Sequence, residues 1–145
     1  SNNIQFLYNV SNGSPGLSID INLEKIDYIY KNIIEILIKQ NSFSNQIIEF
    51  SQTISSFSNE EFKVFLIVLR YILITITKIN LGLNFSTDFS NEFFILLNSA
   101  ANKTKNNISL EIINYLNKNE KDLFIYNLNK KIFCLNIFLP LKHYE

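Results

Sequence analysis

Apolar residues recur along this chain at spacings of three and four, the period of one buried face of an α-helix. Leu23, Ile26, Tyr30, Ile33, Ile34 and Leu37 follow that spacing, with Asn22 placed to cap and Glu24 in the first turn. They predict a first helix ending near Gln40. Phe43, Ile47, Phe50, Ile54 and Phe57 form a narrower seam among Ser, Asn and Gln residues and predict a second helix. Ser58-Asn59-Glu60-Glu61 has the form of a capping box, in which the Ser58 hydroxyl accepts from the Glu61 amide and the Glu61 carboxylate accepts from the Ser58 amide. A long third helix should start there. Its body over 62–81 is apolar almost all round, broken mainly by Lys63, Arg70, Thr75, Thr77 and Lys78, and Gly82 supplies the stop.

A helix of that pattern is expected at the centre of a bundle, packed on several sides. Residues 64–83 also have the length of a membrane span, but Arg70 would sit near mid-bilayer at a cost of about 3 kcal/mol, and the flanking helices have polar faces suited to water. The buried helix is the preferred reading.

Ser86-Thr87-Asp88 then precede Phe89, Phe93, Leu96, Leu97 and Ala100, a fourth helix, and the run Asn102-Lys103-Thr104-Lys105-Asn106-Asn107 breaks the pattern and reads as a loop. Ile112, Ile113, Tyr115, Leu116, Leu123 and Phe124 mark a fifth helix, ending around Tyr126. Asn129 can cap a sixth over 130–139, where Ile132, Phe133, Leu135, Ile137, Phe138 and Leu139 leave little polar surface before Pro140 ends it. So apolar a helix must be covered, by its own domain or by another subunit. Tyr126, Lys130, Phe133 and Phe138 are therefore the candidate interface residues. No strand pair joined by a two-residue glycine turn and no fixed-period repeat occurs. The expected fold is all-α: a single bundle of about five or six helices over 22–145. Before it, the turn formers Ser11-Asn12-Gly13-Ser14-Pro15-Gly16 mark a junction.

Composition narrows what the bundle can do. At 145 residues, 47% hydrophobic and 18% charged, the chain can bury one core and is too apolar for disorder. Thirteen basic and thirteen acidic residues cancel, which removes the positive field that autonomous DNA binding requires. The charges are unevenly spread, with acids leading early (Asp20, Glu24, Asp27, Glu35, Glu49) and lysines late (Lys118, Lys121, Lys130, Lys131). Abundant Asn, Ile, Lys, Phe and Tyr have the imprint of an AT-rich genome, so isoleucine is not a β signal here. The chain opens at Ser1 and contains no methionine, and is expected to be a piece of a longer protein.

Catalytic chemistry finds little footing. The lone histidine, His143, has no second histidine for a metal pair, and Cys134 excludes an intramolecular disulfide and reads as a small core residue suited to a reducing cytoplasm. Glu60 and Glu61 point about 100° apart on a helix, and capping already accounts for Glu61. Three glycines cannot easily build a phosphate-binding loop, and none of the loop motifs occurs. The phenylalanines follow core spacing rather than lining a basic groove for bases. No catalytic, cofactor or metal site is expected, nor a small-molecule ligand.

A family resemblance is carried by four stretches of the chain. Gly13-Ser14-Pro15-Gly16-Leu17-Ser18-Ile19 resembles the Gly-Ser-Pro-Gly-x-Ala-hydrophobic stretch that ends the AAA+ lid in bacterial delta-prime clamp-loader subunits of DNA polymerase III. The helix carrying Ile26-Asp27-Tyr28-Ile29-Tyr30 is similar to that family's next one, and residues 60–81 to its long helix of the form Phe-x-x-Phe-Leu-x-x-Leu-Leu-Arg-x-Leu. Tyr126-Asn127-Leu128-Asn129-Lys130-Lys131-Ile132 resembles the Leu-Asn-Leu-Asp-Arg-Lys-Gln motif opening its last helix, with Asn129 in place of Asp and Lys130 in place of Arg. The match covers nearly the whole chain, 10–139. It implies that residues 1–21 end the lid and that the rest is the collar through which clamp-loader subunits assemble: a cytoplasmic, non-catalytic domain. The implied partners are the delta and gamma/tau ATPase subunits, with DNA reached only through the complex. Some lid motifs carry a nucleotide-sensing arginine; here Leu17 follows Gly16 and no arginine is near, as in a non-hydrolysing subunit. A rival from another class is a viral Bcl-2-like bundle binding an amphipathic peptide, although the Asn-Trp-Gly signature is excluded because the chain has no tryptophan.

Overall fold

The computed structural model describes residues 23–40, 44–83 and 91–144, and among these it is helical throughout, without strands. The elements are α1 (Leu23–Lys39), α2 (Asn45–Ser55), α3 (Asn59–Asn80), α4 (Asn91–Lys103), α5 (Asn106–Ile125), α6 (Lys130–Ile137) and a closing 3-10 helix (Leu139–Tyr144). The expected all-α bundle of about five or six helices is the fold observed, with six α-helices among the described residues. The Asn22 cap, Phe43, the start of the fourth helix at Ser86-Thr87-Asp88, and the segment Gly13, Ser14, Pro15 and Gly16 lie outside the described residues.

Helix boundaries fall where side chains satisfy the free backbone groups of the ends. The Ser44 hydroxyl caps α2 by accepting from the Ile47 amide. Ser58 and Glu61 form the predicted capping box at the start of α3, with both reciprocal bonds at 3.1 Å. Asn129 caps α6, its Oδ1 accepting from the Ile132 amide at 2.9 Å. At the far end of α3, Gly82 takes φ +71, which lets its own amide reach Ile79 O and the Leu83 amide reach Lys78 O. Those two bonds satisfy the last carbonyls of the helix. Asn127 (φ 51) has the same place after α5, where the Leu128 amide donates to Leu123 O. Asparagine tolerates the left-handed conformation better than most residues.

The central position expected for the third helix is the one observed: α3 packs on α1, α2, α4 and α5. Phe62, Val64, Phe65, Leu66, Val68, Leu69, Ile72, Leu73 and Ile76 are all buried along it. Thr75 and Thr77 return their hydroxyls to the carbonyls of Tyr71 and Leu73, so their oxygens cost the helix no unmet polarity. Phe62 is the hub of an aromatic cluster, with ring centroids 5.3 Å from Phe65, 6.2 Å from Phe124 and 6.1 Å from Phe133, all edge-on. Among the described residues no helix is long and apolar enough to cross a membrane.

Two expectations about boundaries need correction. The polar run over 102–107 is not a loop: only Thr104 and Lys105 separate α4 from α5. That tight link is held from two sides, by Gln40 Nε2 donating to Lys103 O and by Asn80 Nδ2 donating to Thr104 O at 3.0 Å. The sixth helix stops at Ile137 rather than Leu139, and Pro140 sits inside the following 3-10 helix, near its start, where no amide donor is needed.

Candidate interaction surface

α6 is eight residues long and apolar on both sides, so its packing decides which residues are core and which are surface. It lies against α2 and α5. At 100° per residue, Phe133, Cys134, Ile137 and Phe138 share one face, and all four are buried. Phe133 meets Phe62 and Tyr115, and Phe138 meets Phe50 at 6.4 Å. Phe133 and Phe138, expected at a subunit interface, are thus internal: they are 4% and 0% exposed and close this chain's own core.

The other two candidates are at the surface. Tyr126, at the C-cap of α5, is 69% exposed. Lys130 opens α6 and turns its Nζ back to donate to Phe57 O at 3.1 Å, tying the end of α2 to the start of α6. Lys131 makes a parallel tie to Gln52 Oε1 at 3.1 Å. Exposed apolar residues in this part of the chain that sequence reasoning did not single out are Ile125, Leu128, Ile132 and Leu139. Ile132 (57% exposed) and the half-buried Leu135 lie on the face of α6 opposite the core, while Leu128 (46%) precedes the helix and Leu139 (40%) opens the 3-10 helix after it. Their spacing of four, three and four was the available signal, hidden because the core face is equally apolar.

A groove of about 580 Å³ runs beside this row, between the outer face of α5 and the end of α6, lined by Glu111, Asn114, Tyr115, Lys118, Asn136 and Leu139 among others. Burial raises the Tyr115 phenol above its ordinary pKa, against the opposing effect of a hydrogen bond with the Asn136 side chain. The phenol therefore stays neutral at physiological pH. A second depression of about 430 Å³, lined by Ser55, Asn127, Leu128, Asn129, Lys130 and Lys131, lies at the N-terminal end of α6. Both are open surface features, and among the described residues no group of three or more His, Cys, Asp or Glu side chains is placed to hold a metal ion.

Away from this surface the charged groups serve the framework. Lys25 on α1 pairs with Glu61 and lies 5.2 Å from the Phe57 ring centroid, joining α1 to the start of α3. The hydrogen bond from Lys25, and then that from the Ser58 amide, holds the Glu61 carboxyl below its ordinary pKa. Arg70 on α3 pairs with Glu120 on α5. Cys134 is fully buried, as its sequence context suggested, and burial pushes its thiol up to about 12. No protein-family model matches this chain, and no curated protein or solved structure shows significant similarity to it.

Proposed function

We propose that this chain is the helical collar region of a clamp-loader subunit of the bacterial delta-prime type, a non-catalytic domain that holds subunits together. Its partners are the delta and gamma/tau ATPase subunits, and loading of the sliding clamp onto primed DNA belongs to the assembled cytoplasmic complex. Within this reading, residues 1–21 are the end of the lid and the bundle is the anchor.

The observation that carries the reading is where the resembling segments fall. Two of the resembling stretches inside the described residues open structural joints: the capped start of α3, the central helix, and the Asn129 cap of α6, the helix that closes the core. Within the long helix, Arg70 binds α3 to α5. A bundle with an apolar outer row and a net charge of zero also suits assembly through helix faces better than binding of nucleic acid.

Co-purification tests it. Mixed with purified delta and gamma/tau subunits, the chain is expected to co-elute with them on size exclusion. Failure to co-elute, together with binding of a isolated amphipathic helical peptide in a groove, would favour the Bcl-2-like alternative.

A further inference from the structure

We draw no further inference here: the strongest candidate, the exposed apolar patch on the outer side of α6 at Ile132, with Leu128 before the helix and Leu139 after it, carries none because nothing in the structure shows what covers it.

Discussion

Arg70, halfway along the central helix, donates to Glu120 on α5 at 2.6 Å and to Asn117 Oδ1 at 3.2 Å. One guanidinium thereby engages two residues one turn apart and fixes the rotation of α5 against α3 as well as their separation. Both ion-pair partners are about a quarter exposed, at 24% and 29%, so solvent weakens the attraction without abolishing it. A double-mutant cycle with Arg70→Ala and Glu120→Ala is expected to give a coupling energy of about 0.5–1 kcal/mol in urea unfolding, decreasing with added salt. Coupling near zero at low salt would mean that apolar contact alone holds the two helices.

Glu61 makes a stability contribution with a defined pH sense. Its carboxyl titrates below the ordinary value of 4.5 because Lys25 and the Ser58 amide favour the charged form. A carboxylate lowered in the folded state stabilises the protein above its unfolded pKa and loses that contribution as pH falls through the folded pKa. Glu61→Gln keeps an oxygen for the Ser58 amide but loses the charge, and should cost about 0.5–1 kcal/mol at pH 7. The difference from the parent should shrink through the acid range beneath pH 4.5, as followed by thermal unfolding at several pH values. A difference that persists unchanged into that range would assign the effect to packing.

The cap of α6 separates two roles for Asn129. Asn129→Ala removes the acceptor for the Ile132 amide and should destabilise the fold by about 1 kcal/mol. Asn129→Asp keeps the acceptor and places a negative charge at the helix N-terminus, an expected gain of about 0.3–1 kcal/mol over asparagine. Equal destabilisation by both would show that the amide's Nδ2, not its oxygen, matters at this position.

These boundary residues were the parts of the fold most legible in the sequence. Ser58, Glu61, Gly82 and Asn129 act through bonds to backbone a few positions away, so their local spacing contains the whole signal. The short α4–α5 link was not legible, because the amides that hold it come from Gln40 and Asn80, distant in sequence. The two faces of α6 were illegible for a different reason. With Ile132, Phe133, Leu135, Ile137 and Phe138 all apolar, periodicity identifies a helix without saying which side is inward. Only the positions of α2 and α5 sent Phe133 and Phe138 into the core and left Ile132 outside.

Cys134 supplies a native probe of that arrangement. Its thiol is buried on the side of α6 that packs on α2, and that burial pushes its pKa up to about 12. A thiol reagent at pH 8 should leave it unmodified in the folded chain and modify it on unfolding in denaturant. The modification rate should therefore follow global stability across a urea series. Fast reaction in native buffer, at a rate insensitive to low urea, would show instead that α6 opens on its own.

The tie between Lys130 and Phe57 O joins positions 73 residues apart. During synthesis, the inner face of α2, with Phe50 and Ile54, and the start of α3, with Phe62, are made long before Phe133 and Phe138 arrive to cover them. A nascent chain that has not yet reached α6 therefore presents a sticky aromatic slot to the ribosome surface and to chaperones. The bundle can close that slot only after the segment from Lys130 to Leu141 has left the exit tunnel, so its folding waits on its last helix rather than proceeding helix by helix.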